Sequence, residues 1–200
     1  MPRTADPIRG TDTWRDAALV TGAFVALLWV LEIVDTASGH QLDTYGIQPR
    51  SEEGLVGIAV APMLHFGFEH LVSNTVPVAV LGFLALVTGV ARGLLATAII
   101  WLVGGAGVWL FAGSHSNHAG ASVLIFGWIV YLVVRGLLNR RTTEILIGVA
   151  VFLLYSGALL GVLPGQPGIS WQGHLFGAIG GAIAARLLNR PRPASSYALR

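Results

Sequence analysis

Six long apolar stretches dominate the chain, at residues 17–34, 71–90, 94–112, 121–134, 145–163 and 171–188. A helix needs about 20 apolar residues to cross the hydrocarbon of a bilayer, within a range of roughly 17–25. In lipid each backbone N–H and C=O must be bonded internally, so an open chain crosses as helices. Composition agrees, because 54% of the 200 residues are hydrophobic and 11% are charged, against about 25% charged in soluble domains. Too little polar surface remains to cover a water-soluble core. The sequence therefore predicts an all-α membrane protein, a six-transmembrane-helix bundle. The fourth stretch is short as it stands and is expected to begin in the turn at Gly120 and run on past Arg135.

Charge sets the expected orientation. All twelve basic residues are arginine. Arg3, Arg9 and Arg15 precede the first stretch, and Arg92 lies between the second and third. Arg135, Arg140 and Arg141 lie between the fourth and fifth, and Arg186, Arg190, Arg192 and Arg200 end or follow the sixth. Eleven thus fall on one side and only Arg50 on the other. The positive-inside rule makes the arginine-rich side cytoplasmic, with both termini there. Asp6, Asp12 and Asp16 dilute the basic start, so the first apolar run reads as a retained helix and not as a signal peptide. The expected organisation is a cytoplasmic segment at 1–16, one membrane domain at 17–188 and a disordered cytoplasmic tail at 189–200, rich in proline and serine. A connection from Asp35 to Glu69 then lies outside; its part 54–68 is too short to cross and reads as interfacial or re-entrant.

Ionisable and strongly polar groups inside membrane spans are costly and point to function. Here they are few: His65, His70, Asn74, Ser122 and His174, all expected near the outer ends of spans two, four and six. His70 and Asn74 are spaced i, i+4 and share a helix face. Two side-chain donors on one face suit an oxyanion. Ser122 follows Gly120 and Ala121, small residues that let another backbone come close. His174 shares a face with Gly177 and Gly181, a small-xxx-small surface made for close helix packing. Such packing would bring an imidazole within hydrogen-bond reach of a serine hydroxyl. The chain has no cysteine and no lysine, which excludes disulfides, thiolate nucleophiles and lysine-based catalysis.

Three motifs in order carry a resemblance: His65-Phe-Gly-Phe-Glu-His70-Leu-Val-Ser-Asn74, then Gly120-Ala121-Ser122 with Phe126-Gly127, then Gly173-His174-Leu-Phe-Gly177-Ala-Ile-Gly-Gly181. The chain resembles the rhomboid family of intramembrane serine proteases over roughly residues 55–188. The resemblance implies the rhomboid type of six-helix bundle, with Ser122 as nucleophile and His174 as general base. It also implies an oxyanion hole from His70, Asn74 and the Ser122 N–H. His65, Gly120, Phe126, Gly177 and Gly181 would support that site, and transmembrane proteins in the bilayer would be the substrates. No Asp or Glu in the spans is placed to orient His174, so a dyad is expected and no cofactor is implied. The chain departs from the family in three places. Val123 stands where a glycine usually follows the serine, and its β-branch is expected to crowd the approach to Ser122. Phe126 stands where tyrosine is common, and the first outer loop lacks the Trp-Arg pair of many relatives.

Two other readings exist. A catalytically silent relative would bind transmembrane clients without cutting them, and a six-span transporter would use the histidines as a proton relay. Transporters tend to show repeats and broken helices near the midplane; no repeat is apparent here, and the polar residues gather at one end. His115 and His118 have a spacing compatible with zinc, but no acidic or thiol partner accompanies them, so no metal is assigned. A formal net charge of +2 gives no basis for a nucleic-acid partner.

Overall fold

A computed structural model describes residues 13–189, and every element assigned within them is helical. Seven α-helices follow one another: α1 Thr13–Ala37, α2 Glu52–Val60, α3 Phe68–Leu86, α4 Val90–Phe111, α5 Ser122–Asn139, α6 Thr142–Tyr155 and α7 Trp171–Leu187. Short 3-10 turns lie at Leu42–Tyr45, Ala61–Met63 and Ala158–Val162. Arg3, Arg9 and residues 190–200 of the expected tail lie outside the described residues.

Four of these helices, α1, α3, α4 and α5, are long and apolar enough to cross a membrane. The other two expected spans are shorter. α6 has 14 residues and α7 has 17, or about 21 and 25 Å at 1.5 Å per residue. The expected fifth span, 145–163, is the one that changes most. Its helix stops at Tyr155, and the remainder turns into the 3-10 segment Ala158–Val162. Gly157, Gly161 and Pro164 weaken a helix there. The fourth span runs from Ser122 to Asn139, past Arg135 as anticipated.

Of the four long helices, α5 is the most buried. It packs against α7, α6, α3 and α4, and α7 in turn packs against α4. Glycine makes the α5–α7 contact close. A Cβ on Gly177 would stand 2.2 Å from the Val123 carbonyl oxygen, and one on Gly181 would stand 2.1 Å from that of Gly127. The backbones touch where larger residues would hold them apart. Elsewhere the helices turn large apolar side chains outward, such as Leu19, Val30 and Ile33 on α1 and Leu146, Leu153 and Leu154 on α6. Such faces suit lipid and not water.

The connection from α1 to α3 is wired by its own set of bonds. Arg50 donates to the carbonyls of Leu110 (3.0 Å) and Ala112 (2.8 Å) and to Ser114 Oγ (2.6 Å). Arg50 thus satisfies carbonyls left open at the C-terminus of α4, where a cation is favoured. Trp109 Nε1 donates to the Ser51 carbonyl at 2.9 Å, and Trp101 Nε1 to that of Ile58 at 2.7 Å. Ile47 and His118 exchange backbone hydrogen bonds of 2.8 and 3.1 Å, joining this loop to the α4–α5 loop. At the opposite end Arg135 is 5% exposed, pairs with Glu144 at 3.2 Å and donates to Thr88. That bridge ties α5 to α6 and to the α3–α4 turn.

Candidate active site

Ser122 is the first residue of α5, so its N–H belongs to the helix's first turn, where N–H groups lack intrahelical partners and the dipole is positive. The turn before it depends on Gly120, whose φ of 123° disfavours any side chain. A Cβ on Gly120 would also meet His70 Cε1 at 2.7 Å. The turn is pinned by the Gly120 N–H to the Ala61 carbonyl at 2.9 Å. The Ala121 N–H points to Nε2 of His65 at 3.4 Å. His65 lies outside the spanning helices and is 2% exposed. Burial, and then the neighbouring His70, push its pKa down to about 3, with the Met63 backbone opposing. A neutral ring is what lets Nε2 accept.

His174 is 8% exposed on α7. Its Nδ1 stands 2.9 Å from the carbonyl oxygen of Gly161. A carbonyl can only accept, so Nδ1 carries the proton and Nε2 is left as the basic nitrogen. The Phe126 ring is stacked on the imidazole. Gly161 was not singled out from the sequence, because a backbone carbonyl leaves no mark on residue type. Its closeness to both rings does require a glycine, since a Cβ there would stand 2.9 Å from His174 Nδ1.

Ser122, His174, His70, Asn74 and Phe126 line one cavity of about 490 Å³. No hydrogen bond joins Ser122 to His174 in this structure, whose Nδ1 bond to Gly161 is the one the ring makes. Catalytic hydrogen bonds are often loose until substrate binds. Asn74 uses one amide N–H on the His70 carbonyl at 2.8 Å, which leaves its second for a ligand. Gly177 and Gly181 lie at the α5–α7 contact and not in the cavity.

His118 and Ser170 also line the cavity, and of these the sequence weighed His118 only as a metal ligand and Ser170 not at all. His118 bridges Ser116 Oγ and Ser170 Oγ, both at 2.7 Å, and Ser170 caps α7 by accepting from the Gly173 N–H at 3.2 Å. Burial lowers the pKa of His118. It serves as a tie between the α4–α5 loop and the start of α7. The signal available in sequence was its place in the loop just before Ser122.

Val123 does not line the large cavity that holds Ser122 and His174, although it borders a smaller pocket with Ser122. Its side chain packs on α4, where Gly104 makes room: a Cβ on Gly104 would stand 2.2 Å from Val123 Cγ2. Successive helix residues point about 100° apart, so the residue after Ser122 need not share its face.

The fold and the cavity define a polytopic helical membrane protein with serine and histidine at one shared wall. Residues 52–191 match the Rhomboid domain, and the chain belongs to the rhomboid family. It is 49% identical over 176 residues to uncharacterized proteins of Mycobacterium tuberculosis and Mycobacterium bovis, covering 84% of this chain and 73% of theirs. A protein of Mycobacterium leprae, also uncharacterized, is 44% identical over 186 residues, covering 89% of this chain and 74% of its own. No solved structure matches the chain significantly.

Proposed function

We propose that this protein is an intramembrane serine endopeptidase that cleaves transmembrane substrates with a Ser122–His174 dyad. The observation that carries the reading is the common cavity. Residues from α3, α5 and α7 meet in it, and Nδ1 of His174 is already committed to Gly161. A substrate helix hides its carbonyls, so it must unwind locally before Ser122 can attack. Ser122 Oγ then bonds to the carbonyl carbon while Nε2 of His174 takes its proton. The carbonyl oxygen becomes an oxyanion, which His70, Asn74 and the Ser122 N–H receive. Collapse breaks the C–N bond, and the amine leaves with the proton held by Nε2. Water then attacks the acyl ester, passing a proton to Nε2, which returns it to Ser122 Oγ. The resemblance to the family points to single-pass substrates with small residues around the cleaved bond.

In this reading α6 and α7 complete six crossings in a bacterial cell membrane, with both termini cytoplasmic and the cavity facing outward. A fluorophosphonate reagent tests the chemistry. It should label Ser122 in the detergent-solubilised protein and fail on Ser122→Ala and His174→Ala. Each variant should lose cleavage, and the double variant should be no worse than either. A Ser122→Ala protein that still cuts would overturn the dyad. The second reading, a silent client binder, predicts no labelling and no cleavage in the parent, with client capture intact.

A further inference from the structure

A second group of ionisable side chains lies at the outer end of α1, apart from the residues that the proposed proteolysis uses. Asp35 is 2% exposed. Its Oδ1 accepts from the Leu42 N–H at 2.6 Å, and its Oδ2 lies 3.3 Å from His40 Nδ1. The same nitrogen is 3.8 Å from Asp43 Oδ2. One donor atom from each of Asp35, His40 and Asp43 lies within 4.8 Å of the others.

Beneath this trio lies an observation the trio itself does not explain. Glu32, one helical turn earlier, is 2% exposed; its carboxylate oxygens make no close hydrogen bond, with the Gly67 backbone the donor nearest to acting on them. Asp43 Oδ1 is likewise buried without a partner. Glu32, Asp35 and Asp43 face one small void, with His65 on its wall. Three carboxylates crowded beside one imidazole cannot all stay charged where burial is costly unless a cation balances them or protons neutralise them.

We propose that Asp35, His40 and Asp43 form a zinc site on the outer face, with the Glu32 carboxylate behind it. Imidazole nitrogen with carboxylate oxygens is a donor set that zinc accepts, whereas calcium and magnesium take oxygen alone. Three protein ligands leave a fourth position for water. His40 is half exposed and gives the ion a path from the outside solution. The ion would hold the first outer loop to α1 and balance the buried carboxylates. The rival account needs no metal: protonated His40 pairs with the aspartates, and protons neutralise the remaining carboxylates.

The two accounts separate on zinc content. The full chain, purified in detergent through an affinity tag that contains no histidine, is incubated with zinc sulfate and dialysed, and its metal is measured by mass spectrometry. The parent should keep one zinc ion per chain and melt at a higher temperature with zinc than after chelation. His40→Gln and Asp43→Asn should lose both the retained zinc and the zinc-dependent shift. Both positions are at least partly exposed, so they decide the matter even where the buried Asp35→Asn fails to fold. A parent that keeps no zinc, or a His40→Gln protein that keeps as much as the parent, overturns the site.

Discussion

The Phe126 ring lies flat on the His174 imidazole, with centroids 3.9 Å apart and planes 9° from parallel. Phe126 stands one turn after Ser122 on α5, so one helix supplies both the proposed nucleophile and the surface that holds the proposed base. Gly161 fixes the same imidazole in its own plane through Nδ1. In the proposed dyad a carbonyl and a ring together would do the orienting that a carboxylate does in a triad.

Gly161→Ala tests that arrangement. The added Cβ would stand 2.9 Å from His174 Nδ1 and 3.1 Å from Phe126 Cζ, so the imidazole must move. A misplacement near 1 Å can cost about a hundredfold in rate. We expect cleavage and fluorophosphonate labelling to fall together by at least about tenfold on that scale, with the thermal midpoint close to the parent's. Unchanged labelling would show that the carbonyl does not set the ring.

If His70 and Asn74 are the oxyanion donors proposed above, His70→Ala and Asn74→Ala should each lower kcat by about 10²–10³ with KM little changed. Asn74 keeps one N–H on the His70 carbonyl, so its second N–H is the one at stake. A matched rise in KM with kcat preserved would reassign both residues to substrate binding.

Val123→Gly should cost stability and leave chemistry alone. Val123 is 8% exposed and its methyl group fills the notch over Gly104. Losing the buried side chain should cost about 2 kcal/mol. The thermal midpoint should drop while cleavage per folded molecule holds. Gly104→Ala clashes with Val123 in the parent and should be better tolerated in the Val123→Gly background.

Acid should weaken the fold through His65. Its pKa in the fold is about 3 against 6.5 for the free side chain. Below 6.5 the unfolded chain takes a proton that the folded ring refuses. Stability is therefore complete above that value and declines as pH falls toward 3. Thermal midpoints measured across this window should fall, and His65→Gln, which keeps an acceptor and does not titrate, should flatten the slope.

Much of this was written in residue type and spacing. The apolar runs and the arginine placement suffice for a helical membrane protein, because each helix closes its own backbone bonds in lipid and needs no partner to do so. Ser122, His174, His70 and Asn74 stood out for the same reason: polar groups are rare in spans because they are costly there. What depends on chain distant in sequence was not legible. That Val123 turns to Gly104, that the fifth apolar run breaks so that Gly161 meets His174, and that Arg50 closes the end of α4 follow from how helices pack. Glu32 is buried beside Asp35 and Asp43, which its place near the end of an apolar run does not foretell. Local pattern states which residues prefer lipid or water. Which backbone carbonyl an imidazole meets, and which carboxylates share a void, is decided when the helices close on one another and each Cβ, or its absence, sets how near they come.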